Sequence, residues 1–205
     1  MRLAIAWTVL ASVAAGAPGV EKLRNEKVVS VEITLKHGET ASVEGRPAVT
    51  VYFDDGSLAF AAPGGSTKKA RVRRGDTVFS RAEAGEIRNT GSSELHFVRT
   101  EFLTEGATQT WGAAGLAPNY KLLIENQYTR AYDIRIPAGT REPQHTHKAR
   151  VVVCLSGAVL KHLMPDGREE PSTLQTGEIA WRPGATHIGV NLGQTGLWVI
   201  AIEPK

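Results

Sequence analysis

The stretch Gly139-Thr140-Arg141-Glu142-Pro143-Gln144-His145-Thr146-His147, followed by the apolar run Val151 to Leu155 and closing on Gly157, decides how this chain is read. Residues two apart on an extended backbone project from the same side of a sheet, so His145 and His147 can point together, as chelation requires. A third candidate is His187, which follows Pro183-Gly184 and precedes Gly189 and Asn191, residues that share its face on an extended backbone. Neutral imidazoles that converge on a metal at about 2.0–2.1 Å can be supplied by adjacent strands from inside a barrel. Alone, His-X-His is weak evidence, because exposed strand histidines are common.

An internal repeat adds weight. Residues Asn25 to Gly56 match Asn126 to Gly157 without a gap, pairing Ile33 with Ile134, Gly38 with Gly139, Ala48 with Ala149 and Val51 with Val152. A second block, Gly75 to Glu101 against Gly177 to Glu203, pairs Phe79 with Trp181, Asn89 with Asn191, Gly91 with Gly193 and Leu95 with Leu197. The chain therefore reads as a duplication with an N-terminal half over 25–103 and a C-terminal half over 123–205. The linker, residues 104–122, is rich in Gly, Ala and Thr. In this alignment the first-half partners of His145, His147 and His187 are Glu44, Arg46 and Gly85. All three histidines are lost together, which marks them as a unit and predicts a metal-free N-terminal half in which Glu44 and Arg46 neutralise each other or a neighbour.

Each half is made of short runs of alternating or β-branched apolar residues, among them Val28 to Leu35, Val49 to Phe53, Tyr132 to Ile136, Val151 to Leu155 and Leu197 to Ile202. Gly and Pro recur between them, as in Pro165-Asp166-Gly167, and no long stretch carries a helical period. The pattern predicts an all-β chain of two sandwich or barrel units packed together.

Met1-Arg2 leads into an apolar run, Leu3 to Ala15, and then Ala14-Ala15-Gly16-Ala17. A basic start, an apolar centre and small residues predict a cleaved signal peptide over 1–17 and a secreted or periplasmic protein; the run is shorter than the ~20 apolar residues of a membrane span. Lys and Arg number 24 and Asp and Glu 21. Losing Arg2 leaves almost no net charge, hence no general handle for nucleic acid or for a membrane after cleavage. The basic run Lys68 to Arg74 lacks interleaved aromatics and reads as a solvated face. Cys154 is the only cysteine, so no intrachain disulfide can form; it reads as a small buried hydrophobe.

These residues resemble the cupin superfamily, whose first motif joins a glycine to His-X-His five residues later and whose second is similar to Gly177-(Glu-Ile-Ala-Trp-Arg)-Pro183-Gly184-Ala-Thr-His187. The resemblance implies two tandem double-stranded β-helix (jelly-roll) barrels, a degenerate first cupin, and one divalent metal ion (Fe, Zn, Mn or Ni) on His145, His147 and His187 in the second. Two departures stand out. Counting back from Gly157 puts Arg150 where the family usually has a metal-binding Glu, and the spacing between Pro183 and His187 is one residue short. If the cupin register holds, Arg150 faces the interior and binds an anionic ligand, with Glu142 as an alternative partner; if the register shifts, it lies in solvent.

The flanking strands are expected to turn Tyr132, Ile134, Val152, Cys154, Ile179 and Trp181 inward, with Arg150, Tyr132 and Trp181 as candidate substrate contacts. No catalytic acid or base is recognisable. Two functions follow: a metal-dependent oxygenase or isomerase acting on a small carboxylate or dicarbonyl compound, or a non-catalytic binding or structural bicupin. The expected partner is a small anionic molecule, with a homodimer left open.

Overall fold

The computed structural model describes residues 19–107, 111 and 117–205; the expected signal peptide lies outside them, as do parts of the linker. Among the described residues there are strands and no helix. In the first half these are β1 (Val20–Arg24), β2 (Val28–Leu35), β3 (Thr40–Val43), β4 (Ala48–Tyr52), β5 (Gly56–Ala61), β6 (Thr67–Val72), β7 (Thr77–Ser80), β8 (Gly85–Asn89) and β9 (Leu95–Phe102). The second half repeats them as β10 (Tyr120–Glu125), β11 (Thr129–Ile136), β12 (His145–His147), β13 (Arg150–Ser156), β14 (Ala158–Leu163), β15 (Glu169–Leu174), β16 (Ile179–Arg182), β17 (Ala185–Asn191) and β18 (Leu197–Pro204).

Each half has a five-stranded and a four-stranded sheet with matching order: β1-β2-β9-β4-β7 and β3-β8-β5-β6, against β10-β11-β18-β13-β16 and β12-β17-β14-β15. This is the all-β jelly-roll arrangement the sequence predicted. β10 begins at Tyr120, inside the stretch read as linker, because its short, charged sequence hides the strand period.

Shared residues of the repeat do shared work. Asn89 Nδ2 donates to the carbonyls of Leu35 and Ser93, and Asn191 Nδ2 to those of Ile136 and Thr195; each Oδ1 accepts the N–H of the glycine two residues on. Replacing Asn191 by Ala removes three hydrogen bonds at a site 1% exposed. The expected loss is about 3 kcal/mol, roughly 1 for each bond, read as a lower thermal midpoint. Gly38 and Gly139 are conserved within the repeat for another reason: both turns require positive φ, 80° and 70°.

Three cores result. Val49, Val51 and Val98 of the first half meet Val151, Val153, Ile200 and Ile202 of the second in a core between the halves. Ile33, Leu35, Leu58 and Phe97 fill the first barrel, and Tyr132, Ile134, Val152, Cys154 and Val199 the second. β4 and β13 are buried on both faces, one toward its own barrel and one toward the other half, which is why both read as continuous apolar runs. β6, carrying most of the basic run, is exposed except at Val72.

Candidate metal centre

β12 pairs with β17 in antiparallel register, setting His145 directly opposite His187 and leaving His147 two residues along the same face. All three rings are buried, and their ligating nitrogens lie within 4.8 Å of one another. His145 Nε2 and His147 Nε2 are 2.8 Å apart. The Nδ1 of His145 lies 2.9 Å from the Pro143 carbonyl, to which only an N–H can donate, so its Nε2 presents a lone pair. Burial, reinforced by neighbouring imidazoles and Arg150, holds His187 down to about 3 and pushes His147 strongly down as well. Such imidazoles stay neutral, the form that binds a metal.

Three further side chains join this cluster that the sequence reading did not assign to it. The His162 ring stacks on His187 with centroids 4.2 Å apart and planes 3° from parallel. Tyr120, the first residue of β10, places its hydroxyl 3.0 Å from His145 Nε2 and 2.9 Å from His147 Nε2. Glu142 accepts a hydrogen bond from Asn119 Nδ2 at 2.8 Å and keeps its other oxygen 3.4 Å from His145 Nε2. A Cβ on Gly189 would collide with that carboxylate, so the glycine makes room for it. Burial raises the Glu142 carboxyl above its ordinary range, despite the Asn119 hydrogen bond and the nearby Arg150 guanidinium.

Arg150 faces inward and is 8% exposed. Glu142 turns to His145 and is not its hydrogen-bonding partner. Arg150 Nη1 makes two long hydrogen bonds, 3.3 Å each, to the carbonyls of Lys148 and Pro183, and Nε has no partner among the described residues. Burial lowers its affinity for a proton, an effect opposed by Tyr120, Glu203 and Glu142. Tyr120, Glu142, His147, Arg150, His162 and His187 line a cavity of about 260 Å³ together with the apolar Ile134, Val152, Leu160 and Val199. Drug-sized sites run to roughly 300–1,000 Å³, so this one suits a small molecule.

The other two candidate contacts lie elsewhere. Tyr132 is buried beneath the site, its ring edge-on to Tyr120 with centroids 6.2 Å apart, and does not line the cavity. Trp181 pairs with Val151, on the opposite face of the sheet from Arg150 and Val152, and packs into the core between the halves along with Ile179. The alternation of β16 is as expected, but its apolar face turns toward the other half.

The structure also corrects the first-half counterparts. Asn89 and Asn191 anchor the comparison; four residues back along β8 and β17 lie Gly85 and His187, whose partners across the strand pair are Val43 and His145. The counterparts of His145 and His147 are therefore Val43 and Gly45, not Glu44 and Arg46. One extra residue between Glu142 and His145 shifts the second half, and an ungapped comparison cannot register it. Glu44 and Arg46 do pair, at 3.0 Å, but on the surface. Every member of the cluster is replaced: Val43 for His145, Gly45 for His147, Gly85 for His187, Phe60 for His162, Ala41 for Glu142 and Gly19 for Tyr120. A Cβ on Gly85 would come within 2.7 Å of the Phe60 ring, so a phenyl group fills the space that the His187 imidazole takes in the second half.

No family model and no curated protein matches the sequence. Solved structures of cupin-fold proteins do match in fold. Oxalate decarboxylase from Bacillus subtilis aligns at 12% identity over 87% of this chain and 68% of its own, with a TM-score of 0.62. A cupin 2 conserved barrel domain protein from Leptotrichia buccalis aligns at 15% identity over 96% of this chain and 93% of its own, TM-score 0.59. AerE from Microcystis aeruginosa aligns at 12% identity over 93% and 97% respectively, TM-score 0.63. At these identities the likeness establishes the fold.

Proposed function

We propose that the chain is an exported two-domain cupin whose second barrel binds one divalent metal through His145, His147 and His187 and acts on a small carboxylate or dicarbonyl compound, as an oxygenase or isomerase. The observation that carries the reading is the buried guanidinium of Arg150, short of partners among the described residues and lining the same small cavity as His147 and His187. A buried cation without a partner is costly, and a carboxylate satisfies it with paired N–H donors. Iron, zinc, manganese or nickel held there would supply a Lewis acid for a carboxylate or carbonyl oxygen, and iron also the capacity to activate dioxygen.

In this reading Arg150 grips the anionic end of the substrate and turns the remaining carbon atoms toward the histidines. Val152, Leu160 and Val199 exclude water, which strengthens each charge interaction inside. The Glu142 carboxylate, held by Asn119, and the His162 imidazole are the candidates in the cluster for accepting a proton from bound substrate. An enzyme named for oxalate shares the fold, so the fold accommodates small dicarboxylates. The first barrel serves as scaffold, its cluster positions filled by Val43, Phe60 and the three glycines. Export rests on the residue pattern of 1–17.

Protein purified without a histidine tag is expected to hold close to one divalent metal per chain, and anomalous scattering should place it beside His145 with no peak in the first half. Oxygen uptake, or isomerisation followed by nuclear magnetic resonance, is then screened against small carboxylates and diketones. A metal-loaded chain that binds these compounds but turns over none of them would favour the non-catalytic alternative.

A further inference from the structure

Three polar atoms from two distant segments meet at one point: His145 Nε2, His147 Nε2 and the Tyr120 hydroxyl oxygen form a triangle with edges of 2.8, 2.9 and 3.0 Å. Hydrogen bonds alone cannot account for all three edges. A neutral His145 carries its proton on Nδ1, turned to Pro143, so its Nε2 has none to give. Tyr120 has one proton and a neutral His147 at most one on Nε2. Two protons cannot bridge three contacts, so at least one edge brings two lone pairs within hydrogen-bond distance of each other.

An electrophile removes that conflict. In a six-coordinate centre with bonds of about 2.0–2.1 Å, neighbouring ligand atoms lie about 2.9 Å apart, the spacing found here on all three edges. We propose that Tyr120 is a protein ligand of the metal, completing a face with His145 and His147, while His187 binds next to it. On binding, the phenolic O–H bond breaks, an oxygen–metal bond forms, and the proton leaves to solvent. This assignment rests on the metal reading of the three histidines and adds a hard anionic oxygen to an otherwise neutral set. The first half agrees with it, since Gly19 replaces Tyr120 where the histidines are also gone.

The test uses the full chain loaded anaerobically with iron(II), assayed for iron content, and then oxidised with ferricyanide. A phenolate bound to iron(III) gives a charge-transfer band in visible light, which a phenol that merely donates a hydrogen bond does not. The wild-type protein and Tyr132→Phe are expected to show the band, and Tyr120→Phe to lose it with less than a twofold fall in iron. Should Tyr120→Phe release its iron, Tyr120→His, which offers a nitrogen instead, is expected to keep iron without the band. Iron-loaded wild type with no band, or a band that persists in either Tyr120 variant, overturns the assignment and leaves the three-histidine site intact. Failure of the wild type to bind iron or any other divalent metal overturns both.

Discussion

Changing His145 and His147 together to Ala is expected to reduce bound divalent metal from near one per chain to near none, with affinity falling at least a thousandfold, about 4 kcal/mol. The two imidazoles lie edge to face with ring centroids 4.5 Å apart, and both project from β12, a strand of three residues. Removing them leaves His187 as the one remaining member of the three-histidine group, too few imidazoles for a tight site. The fold should survive. The three apolar cores lie on other strands and contain neither histidine. Metal analysis after dialysis, with circular dichroism on the same sample, checks both halves of the expectation. Full metal content in a folded double variant would refute the site.

That pair was legible in the sequence because a period of two is all that is needed to put His145 and His147 on one face, and the repeated Gly and Asn positions fixed where strands turn. The fold was legible for the same reason: Gly38 with Gly139 and Asn89 with Asn191 perform the same backbone tasks in both halves. What periodicity cannot supply is a choice between two buried faces. β13 and β16 have apolar neighbours on both sides, so alternation grouped Val152 with Trp181 although one faces the barrel and the other the sister half. A single-residue insertion likewise escapes an ungapped comparison, which made Glu44 rather than Val43 the counterpart of His145. His162 could have been found by carrying the alternation of Ala158 and Leu160 one step further. Tyr120 and Glu142 left no local signal for the cluster: one opens a strand inside the stretch read as linker, and the other precedes a proline in the irregular segment before β12, so only the tertiary fold brings them to the histidines.

Arg150 carries the second large expectation, and the first half supplies its control. There Arg99, 4% exposed, occupies the equivalent location from a different strand: its guanidinium bonds the Arg46 carbonyl at 3.0 Å, as Arg150 bonds the carbonyl of Lys148, the counterpart of Arg46. Arg99 is well satisfied, with Glu101 on Nε at 3.0 Å and Ser80 on Nη1 at 2.9 Å. In the second half the counterpart of Glu101 is Glu203, and its carboxylate is engaged by the Lys148 N–H at 3.1 Å. Ser80 is replaced by Arg182, which pairs with Glu178 at 2.7 Å. The cation is thus retained and its partners withdrawn, an arrangement that costs stability in the free protein and is compensated when an anion enters the cavity. Two effects of opposite sign follow. Arg150→Gln should weaken binding of small carboxylates at least tenfold, about 1.4 kcal/mol, at unchanged metal content, as read by calorimetry. Arg150→Met, which fills the space without charge, should stabilise the ligand-free protein by about 1–4 kcal/mol and so raise its thermal midpoint. A structural arginine would behave in reverse, with stability lost and carboxylate affinity untouched, and that pair of results would remove the anion clamp from the proposed function.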